Sequence, residues 1–123
     1  MIIGIGLDLI ETARIEKSIK SDAFVRRIFT EQEVAYCTGK AHPAQSFAAR
    51  FAAKEAFFKA LGTGWRLGMG FNEIETLPDE LGKPQVTLYG TAREVAASRG
   101  VTSIFVSLTH LKNMAAAQIL LEK

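Results

Sequence analysis

The sequence contains a single cysteine, Cys37, so an internal disulfide is excluded and a reducing compartment is favoured. It has no apolar run approaching the ~18 to 20 residues that a membrane-spanning helix needs. The first residues, MIIGIGLDLIE, carry acidic side chains and no basic leader, which is unlike a signal peptide. We therefore expect a cytoplasmic protein with no membrane partner.

The sequence also has little excess of charge. Fifteen basic and thirteen acidic side chains leave a net charge of +2, which does not predict a nucleic-acid partner. No cluster of cysteine and histidine predicts zinc, and no spacing indicates a nucleophile with its base. With 48% hydrophobic and 23% charged residues over 123 positions, the composition predicts one globular domain over residues 1–123.

The order of the secondary-structure patterns predicts an α+β fold with a mainly antiparallel sheet, because strands and helices do not alternate strictly. Thr30 and Glu33 form a predicted capping box, which opens a helix ending near Gly39. The four glycines of residues 62–71 indicate a loop, and the first of them, Gly62, closes the helix before it. The other predicted helices cover about 11–20, 22–29, 43–61 and 91–99, and the predicted strands about 2–10, 72–77, 84–89, 102–109 and 114–121.

The first strand has two unlike faces. By the two-residue period, Gly4, Gly6 and Asp8 point one way. The residues that point the other way are apolar: Ile3, Ile5, Leu7 and Leu9. Glycine in a strand often marks a close approach by a ligand or another backbone, which makes Asp8 a candidate ligand-binding carboxylate. Alternatively, Asp8 and Glu11 cap the helix that follows.

The helix predicted over residues 43–61 is apolar on two sides, which indicates a buried helix. Lys54 lies in the middle of the phenylalanine face and needs a partner, because a buried charge is costly unless it is paired. Glu55 and Lys59 are one turn apart and also fit a surface ion pair. The phenylalanine face contains Phe47, Phe51, Phe58 and Leu61. The small face, whose side chains let another backbone come close, contains Ala49, Ala53, Ala56 and Ala60.

Asp8 and Glu55 together suit a magnesium ion, which takes one or two carboxylates and completes its shell with water and substrate phosphate. Nearby lysines would neutralise the remaining phosphate oxygens. His110 ends the apolar side of its strand, where it is either a structural hydrogen-bond donor or a functional group.

A basic stripe of Arg14, Lys17 and Lys20 follows Asp8 in the sequence. The spacing of three places these side chains along one side of the predicted helix. The stripe is either a solvated helix face or a docking surface for an acidic partner.

Several segments together resemble the bacterial holo-acyl-carrier-protein synthases, the short phosphopantetheinyl transferases. The resemblance runs nearly end to end, and the block AAKEA…KALGTG is its most specific part. The segments are GIGLDLIETARI (4–15), RIFTEQEVAYC (27–37), ARFAAKEAFFKALGTG (49–64), ELGKPQVTLYG (80–90) and VSLTHLKNMAAAQ (106–118).

The resemblance implies the 4′-phosphopantetheinyl transferase fold and an activity in fatty acid biosynthesis. The arm of coenzyme A would pass to a serine of apo acyl carrier protein, releasing adenosine 3′,5′-bisphosphate. Asp8 and Glu55 would bind Mg²⁺, and Glu55 and Lys59 would be catalytic. Coenzyme A would contact Lys54, Lys59, Gly62, Gly64 and His110.

The resemblance further implies a homotrimer with active sites between protomers. Such an interface would accommodate Lys54 and the bare face around Gly4 and Gly6, and the two-sided apolar helix 43–61 also favours assembly. Phe58 departs from the family, which often has a small residue there. The serine proton could go to Glu55, a metal-bound water, a carboxylate of the carrier protein, or His110.

Two other functions fit the same residues. One is magnesium-dependent hydrolysis of a nucleotide, with water as the nucleophile. The other is a non-enzymatic module that binds acyl carrier protein, although such a module would not need Asp8, Lys54 and Glu55.

Overall fold

The computed structural model describes residues 1–64 and 67–123. A short 3₁₀ helix, Phe71–Glu73, precedes the second strand. The remaining elements, in chain order, are β1 (Ile2–Glu11), α1 (Thr12–Ser18), α2 (Asp22–Ile28), α3 (Glu31–Thr38), α4 (Pro43–Leu61), β2 (Ile74–Pro78), β3 (Pro84–Leu88), α5 (Gly90–Ser98), β4 (Ser103–His110) and β5 (Met114–Glu122).

The strands form two antiparallel sheets, which confirms the predicted α+β class. The larger sheet has the order β1-β5-β4, so β5 is central and β1 and β4 are its edges. The hairpin β2-β3 forms the smaller sheet. Helix α4 packs across one face of the larger sheet.

The ends of two helices are as predicted. Thr30 accepts a hydrogen bond from the backbone N–H of Glu33, and the Glu33 carboxylate accepts one from the N–H of Thr30. This capping box opens α3, which ends before Gly39. Gly62 has a φ of 78° and ends α4 in the left-handed conformation, which glycine adopts without steric cost.

The glycines of β1 let its backbone touch that of α4. A Cβ atom on Gly6 would overlap the carbonyl oxygen of Ala56, and one on Gly4 would overlap that of Ala60. The small face of α4 makes this approach possible, as predicted. The bare face of β1 therefore meets a backbone of its own chain, and the prediction that it faces another protomer is wrong.

Replacing Gly6 with alanine is expected to lower the free energy of unfolding by about 1 to 3 kcal/mol, because the added methyl group meets rigid helix backbone. Gly39→Ala is the matched control. Its φ is −82° and a Cβ there would make only ordinary contacts, at 3.6 Å or more. Urea denaturation of both variants measures the difference, and equal stability would contradict the packing described for β1.

The opposite face of the larger sheet is open, and its part on β1 is apolar. Ile5, Leu7 and Leu9 of β1 are 59%, 63% and 61% exposed, and Phe105 of β4 is 48% exposed. By the strand register, Ile5 and Phe105 flank Leu120 in one row across the sheet. A contiguous apolar patch of this kind marks an interaction surface.

Helix α4 is covered by its own chain. Both its phenylalanine face and its alanine face are buried within one protomer. The argument for assembly from a two-sided apolar helix is therefore wrong, because the surface left open belongs to the sheet. Within the described ranges, no helix is both long and apolar enough to span a membrane.

Candidate functional site

Asp8 and Lys59 meet at the edge where β1 passes α4. The Lys59 ammonium donates to Asp8 Oδ1 at 3.0 Å and to the carbonyl of Leu7 at 3.0 Å. The Lys59 side chain is 54% exposed and that of Asp8 15% exposed. Asp8 thus lies in a shallow, partly solvated site whose cation remains accessible to a ligand.

Glu55 faces the same site from α4. Burial raises the pKa of its carboxyl group, and the nearby negative charge of Asp8 raises it further, whereas Lys59 and Arg14 act in the opposite direction. The two carboxylates lie close enough to repel each other, and solvent reaches them from one side. Such a pair fits Mg²⁺, which prefers oxygen ligands, usually takes only one or two of them from the protein and keeps several waters. Within the described chain no group of three or more metal-binding side chains occurs.

The two structural alternatives for these carboxylates are wrong. Glu11, not Asp8, is at the cap position of α1, and no side chain caps that helix. Lys59 forms its ion pair with Asp8, and in the described residues no ion pair joins it to Glu55.

The basic stripe begins beside this site. Arg14 and Lys17 are exposed on α1, and the charge of Arg14 reaches Glu55. Lys20 is also exposed, but α1 ends at Ser18, so the prediction that it lies on the same helix is wrong. It continues the basic surface from the turn that follows.

A second candidate region is a cleft of about 430 Å³ between the start of α4, the end of α3 and the hairpin β2-β3. His110 lies at its edge, at the end of β4, with an exposed side chain. The basic and aromatic side chains that line it with His110 are Tyr36, Lys40, His42 and Arg50.

Arg50 is the residue that sequence reasoning missed in this cleft. Its guanidinium group donates to the carbonyl of Thr76 and to Ser46, and it stacks over the Tyr36 ring at 4.5 Å. The side chain is buried, yet none of its partners among the described residues is a carboxylate. A buried cation without a counterion favours an anionic ligand. The sequence did indicate a special role for Arg50, because it is an arginine inside a predicted apolar helix.

The structure places Lys54 away from both regions. Its ammonium group is fully buried, forms an ion pair with Glu33 at 2.7 Å, and donates to the carbonyls of Phe71 and Ile74. Burial lowers the pKa of Lys54, and the charge of Glu33 opposes this shift. The prediction that Lys54 contacts coenzyme A is wrong for this geometry, because its three donors are already satisfied inside the protomer.

Gly62 and Gly64 follow the last turn of α4, next to Lys59. Both have left-handed φ angles, 78° and 62°, and no described residue lies within 4 Å of where a Cβ would be. Trp65 and Arg66, in the middle of the predicted loop 62–71, lie outside the described residues. Phe58, the departure from the family pattern, is 1% exposed and packs its edge against Phe71, so it faces the core.

The two regions lie at opposite edges of the larger sheet. Asp8 is on β1, His110 is on β4, and β5 separates them. None of Asp8, Glu55 and Lys59 lines the cleft. One protomer therefore carries a carboxylate region and a cationic cleft without joining them.

A family model described as the 4′-phosphopantetheinyl transferase superfamily matches residues 4–118. The chain belongs to this superfamily. Within it, the holo-[acyl-carrier-protein] synthase of Geotalea daltonii is 47% identical over the full length of both chains. The resemblance inferred from the sequence is thus confirmed.

Solved structures of the superfamily have the same fold. The holo-[acyl-carrier-protein] synthase of Neisseria meningitidis matches with a TM-score of 0.91 and 34% identity, covering both chains completely. That of Bacillus anthracis, in complex with CoA (3′,5′-ADP), matches with a TM-score of 0.83 and 38% identity, covering 100% of this chain and 98% of the other.

These similarities confirm the predicted enzyme class and decide between the functional alternatives. The relatives are synthases that act on an acyl carrier protein, and coenzyme A complexes occur among the structural neighbours. The hydrolase alternative is not supported.

Proposed function

We propose that this protein transfers the 4′-phosphopantetheine arm of coenzyme A to a serine of apo acyl carrier protein. The serine oxygen bonds to the phosphorus that bears pantetheine, and the bond from that phosphorus to the bridging oxygen breaks. The bridging oxygen leaves on adenosine 3′,5′-bisphosphate, and the serine proton is released. Full-length similarity to holo-[acyl-carrier-protein] synthases carries this proposal.

Asp8 and Glu55 are the proposed ligands of Mg²⁺, because they are the carboxylates that share the site at the β1 edge. When bound, the ion would supply electrostatic stabilisation of the charge on the pyrophosphate. Lys59 would neutralise phosphate oxygens beside it, since its ammonium group is exposed and already directed at Asp8.

The cationic cleft is the proposed site for the nucleotide end of coenzyme A. Arg50 is a buried cation that pairs with no carboxylate among the residues described, and His110 and Lys40 line the same cavity. Gly62 and Gly64 would let the pantetheine diphosphate approach the end of α4, because neither has a side chain and, in the described part of the chain, nothing lies within 4 Å of where a Cβ would be.

We further propose a closed homotrimer that joins the two regions. The carboxylates at the β1 edge of one protomer would face the cleft at the β4 edge of the next, which makes the interface heterologous and closes a ring. The open apolar face with Ile5 and Leu9 would be buried at the centre of such a ring.

The basic surface of Arg14, Lys17 and Lys20 is the proposed dock for the carrier protein. Acyl carrier proteins are acidic, and the charge of Arg14 acts on Glu55, so a carrier held there would present its serine to the site. A cytoplasmic location and the absence of a nucleic-acid partner stay predictions.

Replacing Arg14 and Lys17 with glutamate is expected to raise the KM for carrier protein about tenfold and to leave that for coenzyme A nearly unchanged. Exposed charges of this kind steer association and are screened over about 8 Å at physiological salt. The wild-type rate at low carrier concentration should accordingly fall as salt rises. Steady-state kinetics with each substrate varied in turn measure both effects, and equal losses for the two substrates would contradict the docking role.

The experiment that tests the function combines the protein with coenzyme A, Mg²⁺ and apo acyl carrier protein. Intact-protein mass spectrometry should show the carrier gaining the phosphopantetheine arm, with an equal amount of adenosine 3′,5′-bisphosphate released. Bisphosphate without modified carrier would indicate hydrolysis. Binding of the carrier without either product would indicate a non-enzymatic module.

A further inference from the structure

The ion pair between Lys54 and Glu33 has no part in the proposed reaction. Both side chains have no exposed area, and their charged atoms are 2.7 Å apart. The Lys54 ammonium group also donates to the carbonyls of Phe71 and Ile74. All three of its donors are used within the protomer, which leaves none for a ligand.

Glu33 is as fully engaged as its partner. Its Oε1 atom accepts from the backbone N–H of Thr30 at 3.1 Å as well as from Lys54, and its Oε2 atom accepts from the N–H of Thr76 at 2.9 Å. The carbonyl of Thr76 in turn accepts from Arg50 Nε at 3.2 Å. The pair therefore ties the start of α3 and the strand β2 to the middle of α4.

All three elements line the cationic cleft, together with β3 and β4. Helix α3 contributes Tyr36, α4 contributes Ser46 and Arg50, and β2 contributes Pro78. Lys40 and His42 come from the connection between α3 and α4. Because the pair joins the backbone or side chains of all three elements, it sets how far apart their cleft-lining groups lie.

Stability alone is a weak reason for such a pair. Replacing a buried ion pair with apolar side chains of similar volume is often neutral or stabilising, whereas removing one partner is costly. A role in fixing one arrangement of the surrounding elements accounts for the pair better, because each of its bonds ends on a cleft-lining element or beside one.

We propose that Lys54 and Glu33 are positioning residues for coenzyme A. They hold α3, α4 and β2 in the arrangement that binds the nucleotide end in the cleft, and neither touches the coenzyme. The inference rests on the proposed function, since it assigns the cleft to coenzyme A.

A double-mutant cycle tests the proposal, with Lys54→Met, Glu33→Gln and the combination of both. Each single change and the double are expected to raise the Kd and KM for coenzyme A by about tenfold, the scale on which small displacements of positioning groups act. The effects should not add, because both residues act through one pair. The KM for carrier protein should stay unchanged. Calorimetric titration with coenzyme A and steady-state kinetics measure these quantities.

A control separates positioning from stability. Leu121→Ala removes a buried side chain of β5, at the position paired with Gly4 of β1. Leu121 does not line the cleft, so the change should lower the melting temperature without weakening coenzyme A binding. If either single variant does not fold, the double variant is compared with Leu121→Ala. The double variant removes both charges of the pair, so it leaves no unpaired buried charge.

Three results would overturn the proposal. Weaker binding in Lys54→Met alone, with Glu33→Gln unaffected, would show direct contact between Lys54 and the coenzyme. A lower melting temperature with unchanged binding in folded variants would show a purely structural pair. A wild-type protein that does not bind coenzyme A would overturn both this inference and the proposed function.

The two proposals fail in different ways. A wild-type protein that binds coenzyme A but transfers nothing to the carrier would overturn the transferase function, and the binding cycle would still test the pair. A wild-type protein that transfers the arm, with variants that bind coenzyme A normally, would overturn the positioning role alone.

Discussion

Asp8→Ala and Glu55→Gln are each expected to lower the rate of arm transfer by at least about a hundredfold to a thousandfold. Removing one preorganised group that stabilises developing charge has effects on this scale. Neither side chain is part of the apolar core, so both variants should fold normally. Transfer assays and thermal unfolding check the two halves of this expectation.

The proposed role of Asp8 and Glu55 can also be tested by measuring how tightly each variant binds Mg²⁺. Calorimetric titration with Mg²⁺ in the presence of coenzyme A should show weaker binding of the ion in both variants, because each has lost an oxygen ligand. Glu94→Gln is the matched control, since it neutralises an exposed carboxylate on α5, away from the site. Near-normal activity in either site variant would remove that residue from the proposed metal site.

Ile5→Glu is expected to convert the proposed trimer to monomers and to abolish transfer. The new carboxylate would lie on the open apolar face of the larger sheet. Burying that face against another protomer would leave the charge unpaired, which is costly. Ile5→Val is the control, because it keeps the surface apolar. Light scattering gives the mass of each variant, and an active wild-type monomer would contradict both the assembly and the shared site.

Mixed trimers test the shared site directly. Asp8→Ala damages the carboxylate region and His110→Ala the cleft, and each variant alone should transfer poorly. A site is intact only when its carboxylate region comes from a His110→Ala protomer and its cleft from an Asp8→Ala protomer. Random assembly of equal amounts gives this combination at one site in four, so unfolding and refolding the two variants together should recover up to about a quarter of the wild-type rate. Activity no greater than that of the separate variants would show that each protomer works alone.

Local patterns determined much of this protein before any tertiary contact was known. The capping box of Thr30 and Glu33 and the glycine that ends α4 are read from neighbouring residues, because helix ends are satisfied by side chains and conformations close in sequence. The glycines of β1 and the alanines of α4 indicated a close approach of backbone, and the two patterns proved to meet each other.

The sequence by itself also indicated that Lys54 needed a partner, since a cation on an apolar helix face is costly alone. Only the tertiary structure decided that the partner is Glu33, because nothing in the spacing of 21 residues brings α3 to α4. The same holds for the open face of β1. Alternation shows that its two faces differ, but which one meets α4 depends on the packing of a helix that begins 32 residues after the strand ends.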